Sequence, residues 1–188
     1  MNKALFLDRD GVINEDRGYV VKRKDFVFIE GIFELCQTAK LKDYLCIVVT
    51  NQSGIGRGLY DESDFHVLTD WMQEQFDQSS ASLDAVYFCP DHPTKGKGKY
   101  KVDTERRKPG PGMILEAAAD FDLCLAESIL IGDKETDIEA AHRAGVGTTV
   151  RFMRGEHSAQ STDATTSNST ETKATATIVN LSSAIDLL

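Results

Sequence analysis

The stretch Ala4-Leu5-Phe6-Leu7-Asp8-Arg9-Asp10-Gly11 decides the reading of this chain. Four apolar residues in a row are too few for a helix and suit a strand buried on both faces. The run stops at two acids, two residues apart, followed by glycine. Side chains two apart on a strand point the same way, so Asp8 and Asp10 can reach one site. A buried strand that ends in charge fits a parallel sheet, where ligands bind beyond the carboxyl ends of the strands.

The pattern recurs downstream. Leu45–Val49 ends in Thr50-Asn51, Ala85–Cys89 runs into a polar loop from Pro90 to Lys108, and Ser128–Ile131 ends in Gly132-Asp133. Thr148–Phe152 is a fifth strand. Between them lie segments of helical spacing: Gly31–Lys42, Asp61–Phe76, Pro111–Phe121 and Glu135–Ala144, the last closed by Gly145. Ser53–Gly58 reads as a glycine-rich turn, and Thr177–Leu188 as a strand followed by a helix. This alternation predicts an α/β fold, a Rossmann-like parallel sheet with helices on both faces. Residues 1–188 read as one domain, with a flexible Ser/Thr-rich loop over 155–176.

With 188 residues the chain can bury a sizeable core. Its net charge of −9 argues against nucleic-acid partners, which need a basic surface. Apolar runs fall short of the ~20 residues that span a bilayer, so no membrane partner is expected. The N-terminus reaches Asp8 too early for a secretory signal, and a cytoplasmic monomer is expected. From Lys95 to Lys108 seven residues are Lys or Arg, a basic loop suited to an anionic ligand. Cys36 and Cys46 sit in apolar surroundings and read as core thiols.

These strand ends bring together what phosphoryl transfer requires: a nucleophile, a proton handler and positive charge around the phosphoryl oxygens. Asp8 and Asp10 supply two acids. Thr50 offers a hydrogen bond, Lys108 a cation and Asp133 a third acid. Three acids cluster tolerably around a cation, and oxygen ligands beside a phosphate point to Mg²⁺. Asp137, four residues past Asp133, reads as a solvated helix residue.

Phe6-Leu7-Asp8-Arg9-Asp10-Gly11-Val12-Ile13-Asn14, Thr50-Asn51-Gln52-Ser53-Gly54-Ile55, Arg107-Lys108-Pro109 and Gly132-Asp133-Lys134 together resemble the haloacid dehalogenase superfamily. Within it, the chain resembles the group of heptose bisphosphate phosphatases and histidinol phosphatases. The similarity covers nearly the whole chain. It implies an aspartyl-phosphate at Asp8, with Asp10 as general acid and base and with Thr50 and Lys108 steadying the phosphoryl group. It implies Mg²⁺ held by Asp8, the backbone carbonyl of Asp10, and Asp133. It implies a small phosphorylated sugar as substrate, lined by Asp16, Arg17, Gly18, Tyr19, Asn51, Gln52, Ser53, Arg107 and Lys134. The reaction implied is removal of the 7-phosphate of D-glycero-D-manno-heptose 1,7-bisphosphate, in ADP- or GDP-heptose biosynthesis. The intervals between motifs leave no room for a separate cap domain.

Histidinol phosphate is the competing substrate, and the core motifs do not separate the two; Gly18-Tyr19, Arg107 and the basic loop favour the heptose. A phospho-receiver domain uses similar groups, but its phosphorylated acid ends a central strand after the acid pair. One departure from the group stands out. Its bacterial heptose phosphatases often carry zinc on a C-x-H pair and a C-x-C pair before the Arg-Lys. Here those positions hold Cys89 and Asp91, then Thr104 and Arg106. No zinc is expected, since a closed site needs four ligands. A salt bridge between Asp91 and Arg106 is expected in its place.

Overall fold

The structure, a computed structural model, describes residues 1–155 and 173–188. Six parallel strands form one sheet in the order β3-β2-β1-β4-β5-β6. They are β1 (Lys3–Leu7), β2 (Tyr44–Asn51), β3 (Ala85–Cys89), β4 (Ile129–Gly132), β5 (Thr148–Phe152) and β6 (Ala176–Ile178). The helices are α1 (Ile32–Leu41), α2 (Ser53–Arg57), α3 (Glu62–Gln78), α4 (Gly112–Phe121) and α5 (Glu135–Ala144). The strand order reverses between β1 and β4, and that switch point is where sheets of this kind open a crevice for ligands.

Alternation along the strands feeds two cores. Leu5, Leu7, Cys46, Val48, Ile129 and Ile131 face α1 and α3. Ala4, Phe6, Ile47, Val49 and Leu130 face the side covered by α4 and α5. The first core is rich in rings, with Phe28 in contact with Phe26, Phe33, Trp71 and Phe76. The second is closed by small residues, Ala117, Ala140 and Ala141, which let α4 and α5 approach closely. Cys36 and Cys46 are buried in the first core, as their surroundings suggested.

Helix ends follow the local chemistry. Asp61 caps α3 by accepting from Asp64 N at 2.8 Å, and Asp64 returns the bond to Asp61 N, which closes a capping box. Two segments depart from expectation. Ser53–Gly58 is not a turn throughout: Ser53–Arg57 is helical, and Gly58 at φ +73° ends it. Its glycines make room for neighbours, since a Cβ on Gly56 would lie 2.4 Å from the Pro90 carbonyl oxygen. Leu181–Leu187 is a 3-10 helix capped by the Asn180 side chain. The flexible loop expected over 155–176 falls mainly on 156–172, outside the described residues. Its end is fixed: Thr175 N donates to Thr149 Oγ1 at 3.1 Å, and Ala176 opens β6.

Candidate active site

The carboxyl ends of β1, β2 and β4 and the loop before α4 meet in a pocket of ≈ 400 Å³. Asp8, Asp10, Asp16, Gly18, Tyr19, Thr50, Asn51, Gln52, Ser53, Arg107, Lys108 and Lys134 all line it. These residues come from four separate stretches of the sequence, and twelve of the expected site residues converge here.

The floor is a buried charge cluster. Lys108 Nζ lies 2.9 Å from Asp8 Oδ1 and 2.7 Å from Asp137 Oδ1, and donates also to the Val49 carbonyl at 2.7 Å. Its backbone is held by Asn51, whose Oδ1 accepts from Lys108 N and whose amide donates to Lys108 O. Although burial opposes its charge, Asp137 and Asp8 hold the Lys108 pKa above the ordinary range. Burial pushes the Asp8 carboxyl up to about 7; Lys108 opposes this, and the neighbouring Asp137 and Asp133 add to it. Asp133 is raised for the same first reason.

Asp137 is a site residue that sequence reasoning missed. It is 1% exposed, and both its oxygens are engaged, one by Lys108 and the other by Lys134 N at 2.9 Å. Its spacing carried the signal: on α5 it stands one turn beyond Asp133, at the buried mouth of the helix. Asp8, Asp133 and Asp137 each offer an oxygen within 4.8 Å of the others. Asp133 Oδ1 is buried and has no hydrogen-bond partner among the described residues. Glycines fit the backbone around these acids: a Cβ on Gly11, at φ +103°, would lie 2.2 Å from Asp133 Oδ2. Three carboxylates against one buried amine, with a partnerless oxygen among them, fit a divalent cation bound through oxygen.

Asp10 is held from several directions. Arg9 Nη2 donates to its Oδ1 at 3.0 Å and Oδ2 at 2.9 Å, Asn14 to Oδ1 at 3.0 Å and Gln52 to Oδ2 at 3.0 Å. Gln52, expected among the substrate contacts, is 2% exposed and spends its amide inside the protein. Tyr60 also lines the pocket; burial pushes its hydroxyl up to about 12, so it stays protonated.

At the rim Lys134 Nζ pairs with Asp16 Oδ2 at 2.9 Å. Half-buried Arg107 donates to the Asp91 carbonyl at 3.0 Å. Arg17 does not line this pocket. It pairs with Glu15 at 2.6 Å and borders a neighbouring hollow with Asp133, Arg151 and Arg154. Lys95, Lys97, Lys99 and Lys101 also stay outside the pocket, and Lys99 pairs with Glu62.

The expected Asp91–Arg106 salt bridge is not formed. Arg106 pairs with Glu116 of α4 and donates to the Phe88 carbonyl at 3.0 Å. Asp91 Oδ2 instead accepts from the Cys89 thiol at 3.8 Å. Glu116 lies one helical turn into α4 and faces the guanidinium, so it wins the contact. Backbone bonds complete the loop, with Lys97 N on Gly56 O at 2.8 Å and His92 N on Tyr100 O at 3.0 Å.

Among the described residues, no helix is long and apolar enough to cross a membrane. Residues 105–181 match the HAD-hydrolase-like family model. A D-glycero-alpha-D-manno-heptose-1,7-bisphosphate 7-phosphatase of Burkholderia mallei is 61% identical over 149 residues, covering 79% of each chain. The D-glycero-beta-D-manno-heptose-1,7-bisphosphate 7-phosphatase of Vibrio cholerae is 46% identical, covering 81% of this chain and 82% of its own. Among solved structures, the D,D-heptose 1,7-bisphosphate phosphatase of B. bronchiseptica, complexed with magnesium and phosphate, superposes with a TM-score of 0.79. Its identity is 27%, over 98% of this chain and 97% of that one. The chain therefore belongs to the family of HAD-like phosphatases that contains these heptose bisphosphate 7-phosphatases.

Proposed function

We propose that the protein is a magnesium-dependent phosphatase that removes the 7-phosphate of D-glycero-D-manno-heptose 1,7-bisphosphate through an aspartyl-phosphate at Asp8. The observation that carries this reading is the buried Asp8–Lys108–Asp137 cluster beside the partnerless Asp133 oxygen, under a pocket edged by Arg107 and Lys134. An Asp8 oxygen bonds to phosphorus as the bond from phosphorus to the sugar oxygen breaks, and Asp10 gives its proton to that oxygen. Water then attacks phosphorus and returns a proton to Asp10. The bond to Asp8 breaks, its carboxylate is restored and inorganic phosphate leaves.

Thr50 and Lys108 hold the phosphoryl oxygens. Asp137 keeps Lys108 charged and pointed at Asp8. Arg107 and Lys134 hold the phosphate at carbon 1, which stays on the sugar. Asp8, the Asp10 carbonyl and Asp133 would hold Mg²⁺, which would supply positive charge between the phosphate and the acids. The α anomer is the preferred substrate, since the relative with 61% identity is named for it and the one with 46% for the β anomer.

The test is phosphate release from both heptose anomers and from histidinol phosphate, with products followed by phosphorus NMR. Loss of the carbon-7 signal with the carbon-1 signal retained is expected, fastest for the α anomer. Faster turnover of histidinol phosphate, or release from carbon 1, would overturn the proposal.

A further inference from the structure

Gln52 occupies an unusual place beside the pocket. One proton of its amide goes to Asp10 Oδ2 at 3.0 Å and the other to Thr50 Oγ1 at 2.9 Å. Its remaining polar atom, Oε1, accepts from the Tyr60 hydroxyl at 2.5 Å. Three partners on three positions leave the amide one orientation, because turned over it would set its oxygen against the Asp10 carboxylate. At 2% exposure, little water is at hand to replace a lost partner. Tyr60 comes from the segment between α2 and α3. Gly54 admits its ring: a Cβ there would lie 2.1 Å from Tyr60 Cε1.

The other ties on Asp10 come from its own loop, from Arg9 and Asn14. Gln52 is the tie from across the pocket, where β2 ends. We infer that Tyr60 and Gln52 form a positioning pair that aims the Asp10 carboxyl at the leaving oxygen, Tyr60 fixing the Gln52 amide and the amide fixing Asp10. Both act through Asp10 and neither needs to touch the reacting atoms. Thr50 shares in the arrangement: its oxygen accepts from Gln52, so its own proton is free to turn toward the pocket it lines. The inference rests on the reading of Asp10 as the group that protonates the leaving oxygen.

The test compares kcat/KM for a simple alkyl phosphate, whose leaving oxygen needs a proton, with that for p-nitrophenyl phosphate, whose leaving group departs without one. Tyr60→Phe keeps the ring and removes the hydroxyl. The alkyl-to-aryl ratio should fall about tenfold, a fraction of the ~10²–10⁴ that proton transfer contributes. Gln52→Glu, which sets a carboxylate against Asp10, should lower the ratio at least as far, and Asp10→Asn sets the full scale. If Asp10→Asn lowers both substrates equally, the reading of Asp10 as the acid fails and the inference falls with it. If Asp10→Asn lowers the ratio while folded Tyr60→Phe leaves it unchanged, the pair is a packing feature and the inference alone is overturned.

Discussion

The floor of the pocket and its rim hold similar charges in opposite ways. Asp8, Lys108 and Asp137 are at most 5% exposed, and the lysine meets both acids within 2.9 Å. The rim pair of Lys134 and Asp16 has side chains 52% and 37% exposed. Buried charges have no water to relax into, so their geometry is set by partners and is costly to disturb. Exposed pairs are screened and rearrange at little cost. A fixed floor suits a reaction common to many substrates, and an adaptable rim suits the choice among them.

That contrast can be broken by substitution. Asp8→Asn should give the largest effect, activity at background in a protein that keeps its fold, because the amide is nearly isosteric but cannot accept the phosphoryl group. Turnover above background, in protein shown by mass spectrometry to be free of deamidated chains, would remove Asp8 from the floor's chemistry. Metal removal comes next. Chelation should abolish phosphate release, and added Mg²⁺ should restore it. At a hundredfold excess over its Kd, Mg²⁺ should add about 2.7 kcal/mol of stability, or about 5–10 °C in Tm for a chain of this size. Asp133→Asn should erase that shift in a thermal melt; a shift of full size would place the ion elsewhere.

Rim substitutions should be milder and selective. Arg107→Ala should cost about 10–100-fold in kcat/KM on the bisphosphate, the worth of a charge-assisted hydrogen bond. It should cost distinctly less on an aryl phosphate, which has no second anionic group. Equal losses on the two would erase the distinction between floor and rim. The smallest effect belongs to Arg17→Ala, below about twofold on either substrate, since its guanidinium is turned to Glu15 and exposed ion pairs contribute little. A loss comparable to that of Arg107→Ala would show that Arg17 swings into the pocket when substrate binds.

What the sequence revealed follows the same division. Asp8, Asp10, Thr50, Lys108 and Asp133 stood out in the sequence because they follow buried strands or precede a proline, and it was their convergence rather than any one spacing that marked a candidate site. The parallel sheet was legible for the same reason. Asp137 was not, because an acid in the first turn of a helix reads as solvated until Lys108, far away in the chain, is found against it. Tyr60 was hidden likewise: nothing local ties a tyrosine before a cap residue to a glutamine after β2. Ser53–Arg57 read as a turn because its glycines weaken helix propensity, whereas their use is to admit Tyr60 and Pro90. The mistaken pairing of Asp91 with Arg106 came from treating two positions as a vacated pair. The competing acid, Glu116, is visible only once α4 is folded beside the loop.

The central place of β1 has a consequence for synthesis. Ala4 N donates to Ser128 Oγ across 124 residues, and Lys108 reaches Asp8 across 100. At a ribosomal pace of about 5–20 residues per second, roughly 6–25 seconds pass between the emergence of β1 and that of its β4 neighbour. Through that interval the growing chain has Asp8 and Asp10 but neither Asp133 nor Asp137. It carries the proposed nucleophile well before the acids proposed to grip the ion, and one long edge of β1 stands open to any other nascent strand.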